Sequence, residues 1–264
     1  MLAATATANI GSVEISSNWS GDVATSADPA QTLSFSDVTG TWRMPRVRCT
    51  RAGTSAAFWV GIGGSSTESP ALEQLGSSAD CSPKRVATYR LWTEIVPAPA
   101  HFLTMKVRPG DSVSAAVLVQ GQTVTMSIQN LTRGTRYTTR VVAKQQLDTS
   151  SAEWIAEAPS LCRTATACDV IPLSNFGTVG FTSIAATANG HTGFLTDPLW
   201  LVTPIALASS KGVAAYSAVS NAAGAVPNAI APSGRSFTVS FRQTFNANVP
   251  SSPLSGAPLP SFVH

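Results

Sequence analysis

Apolar and polar residues alternate along most of this chain in short runs, broken by Gly, Pro, Asn and Ser. The clearest runs are 41–43, 56–62, 86–96, 102–107, 112–119, 123–128, 135–142, 153–157, 179–186 and 236–241. A period of two sends successive side chains to opposite faces of an extended segment, and Thr and Val, abundant here, favour that conformation. Arg108-Pro109-Gly110-Asp111 and Thr132-Arg133-Gly134 are turn sequences between such runs, which predicts antiparallel neighbours. Helical patterning is weak and confined to 199–210, which Pro204 interrupts, and 214–223. Many strands without regular helices predict an all-β sandwich or barrel. No internal repeat is visible.

The ends differ from the middle. Residues 1–16 read as an N-terminal arm, the first dozen rich in Ala and Thr, and 17–244 as a single β domain. Residues 245–264 carry Pro250, Pro253, Pro258 and Pro260 and read as a Pro-rich C-terminal tail. The 264 residues suffice for a sizeable core. Only 12% are charged while 44% are hydrophobic, which excludes a disordered chain and suits a hardy extracellular one.

Net charge is only +3, with the densest basic run at Arg43, Arg46, Arg48 and Arg51. That run reads as a solvated loop, since a nucleic-acid surface wants more charge and interleaved aromatics. At acid pH the whole surface turns strongly positive. No stretch is long and apolar enough for a membrane-spanning helix. Four cysteines permit three pairings. The short span between Cys162 and Cys168 favours that pair, which leaves Cys49 with Cys81, and disulfides imply an oxidising compartment. The opening residues lack a basic, apolar leader pattern, so Met1 is expected to stand where a leader was removed.

Two segments carry candidate chemistry. On a strand over 86–96, Tyr89, Leu91, Thr93 and Ile95 form a core face, while Arg90, Trp92, Glu94 and Val96 share the other. Trp, Glu and Arg together suit a groove; a solvent face with a stray Trp is the plainer alternative. Over 153–157, Glu153, Ile155 and Glu157 point one way, and Trp154 and Ala156 the other. Two carboxylates on one face repel, which raises the pKa of one of them; the alternative is a pair of solvated acids.

In order along the chain stand Ser17-Asn18-Trp19-Ser20-Gly21, Trp59-Val60-Gly61-Ile62-Gly63-Gly64 and Leu72-Glu73-Gln74-Leu75-Gly76. They are followed by Tyr89, Trp92, Glu94 and Pro97, then Ala152-Glu153-Trp154-Ile155-Ala156-Glu157, then Pro172-Leu173-Ser174-Asn175-Phe176 with Val179 and Phe181. Together they resemble the eqolisins, a family of glutamic peptidases, in a bacterial-type form, from about Ser17 to Phe181. The pattern departs where the family's Ile-Asp-Gly reads Ile62-Gly63-Gly64, and at Arg90, where fungal members tend to carry an acid.

The resemblance implies an antiparallel β-sandwich of lectin or concanavalin type, two packed curved sheets, and an acid-acting endopeptidase that needs no metal or cofactor. It implies Glu157 as general base towards water, its carboxyl titrating near the ordinary value of about 4.3. It implies Gln74 as donor to the developing oxyanion. Trp19, Trp59, Trp92, Glu94 and Asn18 would bind substrate, Trp19 and Trp92 as cleft walls and Asn18 as an anchor. Trp59 and Trp92 are equally readable as core. Partners would be polypeptide substrates, with no nucleic acid or membrane, and the protein itself a secreted monomer.

Two other functions stay open: a non-catalytic, lectin-like carbohydrate-binding sandwich, and a glycosidase using two of Glu94, Glu153 and Glu157. The three histidines do not fit HExxH zinc chemistry, and no Gly-x-Ser-x-Gly elbow is present. Asn18 and Asn130 head formal glycosylation sequons.

Overall fold

A computed structural model describes residues 8–66, 69, 71–164, 167–208 and 223–243. The chain runs through β1 (Asn9–Ile10), β2 (Glu14–Ser16), β3 (Trp19–Ser26), β4 (Phe35–Arg43), β5 (Thr54–Gly63), β6 (Leu72–Cys81) and β7 (Ala87–Ile95). It continues through β8 (His101–Phe102), β9 (Ser112–Gln120), β10 (Thr123–Asn130), β11 (Thr135–Val142), β12 (Ala152–Glu157) and β13 (Ser160–Thr164). The last strands are β14 (Ala167–Val170), β15 (Thr178–Ala188), β16 (His191–Gly193), β17 (Trp200–Ala208), β18 (Gly224–Pro227) and β19 (Phe237–Arg242).

The front sheet runs β17–β3–β12–β5–β6–β7–β8, and the back sheet β19–β15–β4–β9–β10–β11. β18 pairs with both β17 and β19 and joins the two. Pairing is antiparallel throughout these sheets; β1 and β2 add short parallel pairings to β17, so the arm at 9–16 is docked. The all-β sandwich stands, with no helix among the described residues.

Alternation explains the core. Leu91, Phe58, Val60, Trp154 and Ala156 of the front sheet face Val38, Trp42, Val113, Val117, Val124 and Phe181 of the back one, all buried. Two Trp indoles in this layer are satisfied, Trp154 Nε1 donating to the Thr39 carbonyl at 2.8 Å and Trp42 Nε1 to Ser77 Oγ at 2.9 Å, whereas Trp200 Nε1 has no partner. Leaving such groups unpaired would cost about 1–3 kcal/mol each.

Two sequence expectations change, and a third is left untested. Of the 199–210 segment, Trp200–Ala208 is a strand, not a helix, because 200–205 pairs with β3 and Pro204 falls opposite Asp22, while 209–210 lie outside the described residues. The 214–223 segment lies outside the described residues except for its last residue. Of the 102–107 run only Phe102 lies in a strand, the end of the two-residue β8, after which the chain leaves the sheet. Strands β6 and β3 were not expected. β6 is buried on both faces, so its small polar residues show no alternation.

Cys49 and Cys81 form a disulfide across a separation of 32 residues. A loop of that length contributes roughly 3–4 kcal/mol by restricting the unfolded chain. Cys162 and Cys168 are direct register partners; the side chain of Cys162 lies outside the described ones. Asn18 and Asn130 are buried, and each donates its amide to a carboxylate, which leaves neither sequon free for a glycan in the folded protein.

Candidate active site

The outward face of the front sheet carries the site. Register sets its rows. Trp19, Glu157, Ala57, Ser78 and Arg90 form one, Gly21, Ile155, Trp59, Gly76 and Trp92 the next, and Val23, Glu153, Gly61, Gln74 and Glu94 the third. Every residue singled out in the sequence as a site candidate except Asn18 therefore shares one face of five adjacent strands. Asn18 immediately precedes β3. Trp19, Val23, Trp59, Leu72, Trp92, Val96, Ile155 and Ile205 make a second apolar cluster there, separate from the core between the sheets. Trp59 and Trp92 thus belong to the site face rather than to that core.

Glu157 is fully buried and doubly held. Its Oε2 accepts the Trp59 indole N–H at 2.7 Å, and its Oε1 accepts the Asn18 amide at 3.1 Å. Asn18 is itself held by Ser16, whose hydroxyl donates to Asn18 Oδ1 at 3.2 Å and accepts the backbone N–H of Trp19 at 3.0 Å. Burial pushes the Glu157 carboxyl up to about 8. The Trp59, Asn18 and Trp19 donors pull the other way, Trp19 from outside full hydrogen-bond geometry. Desolvation thus lifts this carboxyl above the unperturbed value, an effect the residue pattern alone does not reveal.

Gln74 is also fully buried. Its Nε2 donates to Glu94 Oε2 at 2.6 Å, which fixes the amide plane. Its Oε1 has no partner, and the second N–H of the amide is not used by Glu94. Trp59 sits on the strand between, one ladder from each of the β12 and β6 strands that carry Glu157 and Gln74. Gly76, opposite Trp59, makes room for that ring: a Cβ there would fall 2.6 Å from Trp59 Cβ and 2.2 Å from the Phe58 carbonyl oxygen.

Glu153 shares the face with Glu157, as the alternation requires, but the two are not neighbours: Ile155 stands between them. The carboxyl of Glu153 is raised well above its ordinary value by burial first, then by Asp148 and Glu73, and not by Glu157. Mutual repulsion within 153–157 is therefore not its cause. Glu73 and Asp22, on the inward face, are likewise pushed up to about 8 by burial.

The Gly63 departure has a local reason. Gly63 has φ of 83°, and a Cβ there would lie 2.3 Å from the Asp148 carbonyl oxygen. The 148–151 loop fills that space, with Asp148 Oδ2 accepting the Gly64 N–H at 3.2 Å. Among the described residues, no group of three or more His, Cys, Asp or Glu could hold a metal ion.

Arg90 lies at the other end of the first row. It pairs with Asp80 at 2.8 Å and stacks on Phe102, its guanidinium carbon 3.7 Å from the ring centroid. Ser16, Asp80 and Phe102 were not among the expected site residues. Only the position of Ser16 beside the Asn-Trp pair could have marked it.

The sequence model of a family described as "Peptidase A4 family" matches residues 17–230. Aspergillopepsin-2 of Aspergillus niger is 27% identical over 202 residues, covering 68% of this chain and 67% of that protein. Among solved structures, Scytalido-glutamic peptidase with a peptide-based transition state analog superposes with a TM-score of 0.65 at 22% identity, covering 86% of this chain and 98% of that one. SCP-B, described as a member of the eqolisin family in a complex with the tripeptide Ala-Ile-His, gives 0.61 at 21%, covering 86% and 98%. Both structural likenesses bear on the fold alone.

Proposed function

The chain belongs to the peptidase A4 (eqolisin) family, whose members are peptide hydrolases, and on that premise we propose that it is a secreted, acid-acting glutamic endopeptidase working through Glu157 and Gln74. The observation that carries the assignment is the pair of anchored, fully buried side chains on one face: Glu157 held by Trp59 and Asn18, and Gln74 held by Glu94.

In the closed cleft Glu157 keeps its proton at acid pH, because burial disfavours the anion. Entry of substrate and a water restores hydrogen bonds to the carboxyl, and the Trp59 and Asn18 donors already favour the anion, so its pKa falls as the site fills. Glu157 then takes a proton from the water attacking the scissile carbonyl and passes it to the departing amine. The free N–H of Gln74 donates to the oxyanion, and its unpartnered Oε1 accepts from the attacking water. A donor so placed is worth roughly 3–4 kcal/mol of transition-state stabilisation. Trp19, Trp59 and Trp92 are fully buried in the closed cleft and become flat apolar walls for an extended peptide once it opens. An acid working range also suits the fold, whose buried Asp22 and Glu73 stay neutral only below about pH 8.

The test is digestion of an unfolded protein and of glycans from about pH 2 to 7, with Gln74→Ala beside the native chain. Cleavage of protein only, strongest at acid pH and lost in the variant with thermal unfolding unchanged, supports the proposal. Glycan cleavage, or glycan binding without hydrolysis, would replace it with the glycosidase or lectin-like reading.

A further inference from the structure

The row that begins at Glu157 ends at a cation. From Glu157 it crosses Ala57 and Ser78, both small, and reaches Arg90. Three ladders at about 4.8 Å each separate the Glu157 and Arg90 backbones by about 14 Å. Among the described residues of β3, β12, β5, β6 and β7 on this face, Arg90 is the one positively charged side chain, against Glu153, Glu157, Glu94 and Asp80.

Arg90 is built to receive something. Its side chain is 29% exposed. Stacking on Phe102 fixes the plane of the guanidinium. Asp80 accepts from Nη2 at 2.8 Å, but Asp80 is also engaged by the Ser55 hydroxyl at 2.6 Å and the Ser78 hydroxyl at 3.4 Å. Arg90 Nε has no partner but is buried, so the accessible donors are those of the guanidinium tip. One bond out of five N–H groups leaves a pre-oriented guanidinium with unused donors, the geometry that selects a carboxylate. Ala57 and Ser78, the residues between it and Glu157, are small and buried.

Resting on the peptidase reading above, we propose that Arg90 is a specificity-determining residue that binds an acidic side chain of the substrate, about four residues from the scissile bond. The spacing follows from the separation of about 14 Å between the Glu157 and Arg90 backbones and about 3.3–3.6 Å per residue of an extended peptide. The Asp80 pair and the Phe102 stack position the guanidinium, and the substrate Asp or Glu completes its hydrogen bonding.

The experiment uses peptide pairs that differ only by Glu or Ala, placed in turn at each of the four positions on either side of the cleaved bond. It is run at about pH 5 to 6, where a peptide carboxyl is ionised. One position is expected to show a kcat/KM at least about tenfold higher for Glu, as one charge-assisted hydrogen bond provides. Arg90→Met should erase that ratio, and Arg90→Glu should turn it in favour of Lys at the same position. Arg90→Lys, which keeps the charge and the Asp80 pair, controls for folding and should retain part of the preference. Cleavage with no acidic preference, or a loss in Arg90→Met that is equal for both peptides, overturns the inference and leaves the peptidase reading intact. Absence of cleavage of every peptide overturns both.

Discussion

Trp59 donates its indole N–H to Glu157 at 2.7 Å from the strand that lies between Glu157 and Gln74. One ring thereby both fills the floor of the cleft and holds the carboxyl. The bond favours the anion against the burial that opposes it. Trp59→Phe keeps an aromatic ring edge-on to Trp19, whose centroid lies 5.1 Å away, but removes the donor. Loss of a hydrogen bond to a charged group costs about 1.5–3 kcal/mol. A ten- to hundredfold fall in kcat/KM is expected. The acid limb of the pH profile should move to higher pH, since a lost donor raises the carboxyl further. A uniform loss without that shift would mean that Trp59 only packs.

Glu94 acts through Gln74. It takes one N–H of the amide at 2.6 Å, so the other is aimed by default. Glu94→Gln keeps an acceptor oxygen for that N–H, whereas Glu94→Leu removes it. The Gln variant should retain most of kcat, and the Leu variant should lose roughly tenfold or more, in line with one neutral hydrogen bond and the freedom it restrains. Steady-state kinetics on one peptide separates the two; equal losses would contradict a positioning role.

Stability should fall as pH rises. Asp22 and Glu73 have folded-state pKa values of about 8, far above those of the unfolded chain, and Glu153 is raised as well. A raised carboxyl contributes its stability in full below the unfolded value of about 4 and loses it as pH climbs through the folded value. For one group shifted by about four pH units this is on the order of 5 kcal/mol by pH 8, a large share of a typical stability. Thermal unfolding from pH 3 to 9 should show Tm highest in the acid range and declining steadily above it. Asp22→Asn, which mimics the neutral acid, should flatten the slope. A Tm that rises with pH would contradict the burial of these groups.

Restoring the family's acid at position 63 should harm this protein. Gly63→Asp places a Cβ into the Asp148 carbonyl at a positive φ. A cost of about 1–3 kcal/mol from the backbone alone is expected, with more from the clash, read as a lower Tm. An unchanged Tm would mean that the 148–151 loop yields readily.

What was legible in the sequence follows from where alternation survives. Strand 87–95 carries one polar and one apolar face, so Leu91 and Thr93 could be assigned to the core and Trp92 and Glu94 to the cleft from the residues alone. The same held for 153–157, where Trp154 points inward and Glu157 outward. Strand 72–81, buried on both sides, offered no such contrast, and only a family motif marked Gln74. The partners were not legible at all. Asn18 reaches Glu157 across 139 residues, and burial, the term that governs its pKa, depends on how the strands pack rather than on their order. The helix expected near 200 failed because pairing with β3 outweighed a weak helical pattern.

The most direct measurement compares hydrolysis of an unfolded protein at acid pH by the native chain and by Glu157→Gln. Gln keeps the size and neutrality of the buried, protonated carboxyl, so the fold and Tm should be unchanged while turnover disappears. Full or partial cleavage by a folded Glu157→Gln protein would contradict Glu157 as the catalytic acid and base.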